Sequence, residues 1–222
     1  MNESRSTGRG RVRMTGQERR EQLIEVGRGL FAEKGFDGTS VEEVAARAQV
    51  SKPVVYEHFG GKEGLYAVIV DREVRALLDA VRAALASGER PRELLELATL
   101  ALLRYVETDT DGFRILIRDS QRSGASGSYA GMLNDIGSRV EDILMSQFRR
   151  RRLDPESAPV YAQMLVGMVS LTGQWWLDHP QWRKEELAAH LVNLAWNGML
   201  QMDAHPTLAT EAEGRRRPKR AE

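Results

Sequence analysis

Three features of the 222-residue sequence predict an all-α fold of about nine helices: a small amino-terminal three-helix unit, then a larger helical one. Apolar residues recur at three- and four-residue spacing nearly throughout. Capping residues followed by an acidic residue or Pro mark one helix start after another. The one stretch that alternates like a strand, Phe113-Arg114-Ile115-Leu116-Ile117-Arg118, finds no second strand to pair with. An isolated strand is unstable, so this stretch is assigned to a helix.

Residues 1–14 hold Arg5, Arg9, Arg11 and Arg13 among Gly, Ser and Thr and read as a flexible basic arm. The first helix opens on the capping box Thr15-x-x-Glu18 and carries Leu23, Val26, Leu30 and Phe31 on one face. Gly35 ends it by supplying a left-handed residue, with Phe36 packing back. A second box, Ser40-x-x-Glu43, starts a helix over 40–48 whose inner face is Val41, Val44, Ala45 and Ala48. Ser51 caps a third over 51–59, with Pro53 tolerated in its first turn. After Gly60 and Gly61 a long helix spans 62–86, with Leu65, Ile69, Leu77, Leu78, Val81 and Leu85 inward. Five more follow near 91–108, 112–120, 128–152, 155–178 and 181–202, with a loop at 121–128. Residues 204–222 form a second basic tail, read as disordered and solvated.

Hydrophobic residues at 41% and charged residues at 29% suit a chain that buries a core. Thirty-two basic residues balance 32 acidic ones, so attraction to a polyanion has to come from local patches. The absence of Cys excludes disulfides, thiolate metal sites and cysteine nucleophiles. The Arg-rich start lacks the apolar run of a signal peptide, and a cytoplasmic location is expected. Ser157–Leu177 has no formal charge and is long enough to cross a bilayer. Tyr161, Gln163, Ser170, Thr172 and Gln174 dilute it, so a helix buried in protein is the expectation, with no membrane partner.

The two short helices, joined by a tight turn at Gln49 and Val50 and braced by the first, form a helix-turn-helix. Val55 and Phe59 pin the second helix inward, leaving Lys52, Val54, Tyr56 and His58 to face out beside Glu57. A DNA major groove admits such a helix, and Lys and Tyr at its edges hold phosphates. No enzyme constellation competes. The four His show neither HExxH nor another metal spacing, so no metal or cofactor is expected. Walker, GxSxG and dinucleotide fingerprints are also missing.

The segment GFDGTSVEEVAARAQVSKPVVYEHFGGKEGLY resembles the DNA-binding part of tetracycline-repressor (TetR) type regulators, a match covering about residues 17–66. Carried over by position, the resemblance implies that Tyr56 and Lys62 hold phosphates and His58 sits at the groove edge. It implies that Lys52, Pro53 and Val54 approach bases, and that Thr39 and Ser40 meet the DNA backbone. The sequence departs from the family in two places. Gln49 occupies a turn position usually filled by Gly, at a cost on the order of 1 kcal/mol. Glu57 puts a negative charge on the reading helix. The arginine arm either follows the adjacent minor groove or is a solvated tail.

By the same resemblance, residues 15–62 are the DNA-binding domain, with the motif at 40–59, and 63–203 form a dimerisation and ligand-binding domain. The implied function is a regulator, commonly a repressor, that binds a palindromic operator as a homodimer. A small hydrophobic or amphipathic effector, fatty-acyl compounds being one candidate, would release it. The dimer has independent support in Val160, Met164, Gly167, Leu171 and Trp175, a face of helix 155–178 distinct from Tyr161, Leu165, Met168 and Trp176. Leu187, Leu191, Leu194, Gly198 and Met202 offer a matching stripe on the last helix. Helix 91–108 is apolar nearly all round and therefore central, which makes Leu102, Tyr105, Phe113, Leu116, Met164 and Met168 the pocket candidates. A ligand-independent DNA-organising dimer, or a helical enzyme, are the readings from other classes.

Overall fold

The computed structural model describes residues 14–88, 90–123 and 128–208. The predicted arm (Met14 apart), most of the basic tail and the middle of the expected 121–128 loop therefore lie outside the described residues. The chain divides into two compact units between Glu73 and Val74.

In the first unit, α1 (Gly16–Lys34) starts on its predicted box. The Glu18 amide donates to Thr15 Oγ1 at 3.2 Å, and the Thr15 amide donates to the Glu18 carboxylate at 2.7 Å. The bond from the Thr15 amide holds the Glu18 carboxyl below its usual range. Gly35, at φ 74°, ends the helix. Then come α2 (Val41–Arg47), α3 (Lys52–Phe59) and the start of α4 (Lys62–Leu85). Leu23, Ile24, Leu30, Phe31, Val44, Val55, Leu65 and Ile69 form the core. Tyr66 meets Phe31 and Phe36 edge-on at 5.0 and 4.9 Å. Helices α1 and α4 approach so closely at Gly27 that a Cβ there would lie 2.8 Å from Leu65 Cδ2. That contact explains why the units divide inside α4 rather than at Lys62, where the sequence placed the join.

The second unit contains the rest of α4, then α5 (Pro91–Thr108), α6 (Thr110–Ser123), α7 (Ser128–Arg151), α8 (Ala158–Trp176) and α9 (Lys184–Leu200). Helix α7 packs along α8, and α5 along α9. Lys184, the first residue of α9, pairs with Glu107 near the end of α5, so these two run antiparallel. The Phe113–Arg118 stretch is helical.

Four boundaries differ from the expected ones. Helix α6 continues through Ser123, into the predicted loop, because nothing before Gly124 breaks it. Asp154 caps the chain here, but the residues after it form a 3-10 turn, Pro155–Ser157, before α8. Helix α8 stops at Trp176, short of the predicted 178, and the Trp176 indole donates to the Trp182 carbonyl across the turn that follows. Helix α9 occupies Lys184–Leu200 rather than 181–202. No helix among the described residues is long and apolar enough to cross a membrane.

Burial pushes the Tyr129 phenol up to about 12. A group whose pKa is raised in the folded state holds its proton longer than the unfolded chain does. Its contribution to stability is complete below the unfolded value and is lost as pH rises toward the folded one. Between pH ~10 and ~12 this phenol should cost up to about 1.4 kcal/mol of stability per pH unit. Alkaline unfolding followed by circular dichroism should therefore be less steep in Tyr129→Phe; identical slopes would contradict the buried-phenol account.

Candidate DNA-binding face and cavity

The helix-turn-helix is built as its caps demand. Ser40 Oγ accepts the Glu43 amide at 3.2 Å and starts α2. Gln49 then adopts φ 55°, the left-handed conformation that the missing Gly would have supplied. Val55 of α3 is buried, and Gly60 (φ 71°) closes the helix. The Gln22 side chain donates to the Ala48 carbonyl at 3.2 Å, and the Arg20 guanidinium lies 4.8 Å over the Phe59 ring. Both contacts tie α1 to the motif, and spacing alone does not reveal either.

This arrangement leaves Lys52, Pro53, Tyr56 and Glu57 exposed on α3, with Val54 and His58 half-buried. Lys52 is paired with Glu42 of α2, which raises its pKa and lowers that of Glu42. Its ammonium also lies 5.9 Å from the Tyr56 ring. Lys62 donates to the Phe36 carbonyl at 3.1 Å and sits 4.2 Å from the Phe36 ring. It thus secures the start of α4 and still has protons to offer. Ser40 is exposed, but Thr39 requires a correction. Its side chain is 2% exposed, and its hydroxyl donates to the Gly35 carbonyl at 2.8 Å. That hydroxyl closes the turn after α1 and does not face a phosphate.

The second unit holds an apolar cavity of about 190 Å³ between α4, α5, α7, α8 and α9. Of the six pocket candidates only Leu102 lines it. Tyr105, Phe113 and Leu116 are buried in the core, where Tyr105 and Phe113 meet edge-on at 6.5 Å. Met164 is 60% exposed, and Met168 is half-buried away from the wall. The wall is mostly aliphatic, and α7 supplies much of it through Leu133, Ile136, Val140, Ile143, Gln147 and Arg151. The signal was an i, i+3, i+7 stripe on α7 that ends in two polar residues.

The expected interface residues separate. Val160, Met164, Leu171 and Trp175 form an exposed apolar stripe on α8, with Gly167 half-buried among them. Leu194 and Gly198 are exposed on α9. Leu187 and Leu191 are buried within the chain, so the first half of the α9 stripe belongs to the core.

Comparison with known proteins accords with this geometry. Residues 23–69 match the family described as bacterial regulatory proteins, tetR family, and residues 91–198 the tetracyclin repressor-like C-terminal domain. The chain is 28% identical over 189 residues to the HTH-type transcriptional activator FasR of Mycolicibacterium smegmatis, covering 84% of this chain and 85% of that one. It is 26% identical over 179 residues to the HTH-type transcriptional repressor BepR of Brucella suis, covering 75% and 84%. A TetR-like transcriptional regulator from Rhodococcus sp. RHA1 superposes with a TM-score of 0.69 at 24% identity, over 86% of this chain and 100% of that one. These relatives are DNA-binding regulators and not enzymes, and the chain belongs to the TetR family of transcription regulators.

Proposed function

We propose that the chain is a homodimer that reads a palindromic operator through α3 of each protomer and lets go when a hydrophobic or amphipathic small molecule enters the cavity. The observation that carries the reading is the exposed Lys52-Pro53-x-x-Tyr56 face on a helix held from behind by Val55. A twofold dimer places its reading helices about 34–36 Å apart, one turn of duplex, or a multiple of that. The unpartnered stripes on α8 and α9 supply the face for the second copy. The aliphatic wall suits an apolar effector, fatty-acyl compounds among them.

Helix α4 is the link between effector and DNA. Its Leu65 packs against α1 in the first unit, and its Val81 and Leu85 line the cavity in the second. An effector that displaces Val81 and Leu85 acts on the helix that also anchors the DNA-binding unit, and so biases the spacing of the two reading helices. Whether release then silences or activates a promoter follows from operator position; FasR is named an activator and BepR a repressor.

The test is capture of genomic fragments by the purified protein, then salt titration on the enriched operator with and without candidate effectors. Lys62→Ala should weaken binding to all sequences alike and lower the salt slope by about 0.9 per half-site. Tyr56→Phe should likewise weaken binding without changing sequence preference. An unchanged slope in Lys62→Ala would remove its phosphate role. Operator binding that no compound class alters would favour a ligand-independent DNA-organising dimer.

A further inference from the structure

The cavity wall is apolar except at a few points. Besides the Trp196 indole, its polar side chains are Thr99 on α5 and Gln147 and Arg151 on α7. Thr99 is 1% exposed, and its hydroxyl has no hydrogen-bond partner among the described residues. The local remedy for a helical Thr is to donate to the carbonyl four residues back. Thr108 does so to Arg104 and Thr110 to Val106, both at 2.9 Å. Thr99 does not, although a buried unpaired hydroxyl is costly. Gln147 and Arg151 stand one turn apart at the end of α7. Arg151 donates from both terminal nitrogens to the Met199 and Leu200 carbonyls at 2.7 and 2.9 Å. Among the described residues nothing else takes its Nε–H or the second proton of each terminal nitrogen, which remain for an anion.

The helix directions set the spacing. Because α5 and α9 are antiparallel, the Met199–Leu200 end of α9 lies beside the start of α5, so Arg151 belongs to the Pro91 end of the cavity. Thr99 is eight residues further along α5, about 12 Å at helical rise. The wall on α7 runs from Leu133 to Arg151, about 27 Å of helix.

We infer that the ligand is an anionic amphiphile with an oxygen inside its apolar body: Arg151 and Gln147 take the anionic head, and the Thr99 hydroxyl meets that inner oxygen. This rests on the cavity being the effector site and adds the ligand's chemistry. A saturated acyl chain leaves the Thr99 hydroxyl unpaired, whereas a chain with a hydroxyl or keto group near its middle pairs with it. The site therefore selects oxygenated chains over plain ones of the same length.

The experiment titrates the full-length protein with palmitate, with α-hydroxypalmitate and with the hydroxypalmitate isomers substituted near mid-chain, and reads the tryptophan fluorescence, to which Trp196 on the cavity wall contributes. A mid-chain isomer should bind about tenfold more tightly than palmitate, and the α-hydroxy isomer should gain nothing. Thr99→Val, which keeps the shape and removes the hydroxyl, should abolish that preference. Arg151→Gln should weaken all the acids by a similar factor and spare the preference. Equal binding of palmitate and every isomer, or a preference that survives in Thr99→Val, would overturn the inference and leave the effector cavity standing. Failure of every acid to bind would overturn both. Circular dichroism of Thr99→Val establishes that the variant is folded.

Discussion

Leu171→Glu combined with Leu194→Glu is expected to turn the protein into a folded monomer whose operator affinity is at least about a hundredfold weaker. Both side chains are among the most exposed apolar groups in the chain, at 64% and 68%, so neither Glu disturbs the core of a protomer. Leu171 lies in the α8 stripe with Val160, Met164 and Trp175, and Leu194 on the outward half of α9. In a dimer that covers both stripes, each interface would bury four carboxylates, two from each protomer. An unpaired buried charge is far more expensive than the apolar contact it replaces. A monomer then grips one half-site and forfeits the second, effectively intramolecular contact, which is typically a gain of 10²–10⁴. Leu97→Glu on α5, exposed but outside both stripes, should leave mass and affinity unchanged. Light scattering and operator titration read both effects, and a double variant that remains a dimer would place the interface elsewhere.

The fold was legible because its signals are local. Thr15, Ser40, Gly35 and Gly60 mark helix ends through their own backbone requirements, and the structure uses each of them. Gln49 shows the limit of that rule: the turn demanded a left-handed residue, and the chain supplied it without Gly. Side-chain roles proved harder to read where two helices decide them together. Thr39 and Ser40 look equivalent at a helix start, yet one hydroxyl turns back to Gly35 and the other caps α2. Leu187, Leu191 and Leu194 occupy one stripe in sequence, but the first two are buried in the chain and the third is not. The cavity was the hardest feature to foresee. It is the space that five helices leave unfilled, and periodicity records which face a residue occupies without recording whether that face is filled.

Gly64→Ala should be among the most damaging single substitutions in the DNA-binding unit. Gly64 lies in the first turn of α4, where a Cβ would stand 1.9 Å from the Phe59 carbonyl oxygen. No side-chain rotation relieves a clash with backbone. Either the end of α3 or the start of α4 has to move, at a cost on the order of 3 kcal/mol. The disturbed segment includes Lys62, whose bond to the Phe36 carbonyl secures this junction, and it adjoins the end of the reading helix. Operator affinity should fall at least about a hundredfold. All four Trp residues belong to the second unit, so their fluorescence should stay native and show that the loss is confined to the first. The same change at Gly29, where a Cβ meets nothing within 4 Å, should instead stabilise α1 by about 1 kcal/mol. The opposite signs separate a steric requirement at Gly64 from the ordinary helix preference for Ala, and wild-type affinity in Gly64→Ala would refute the close approach of α3 to α4.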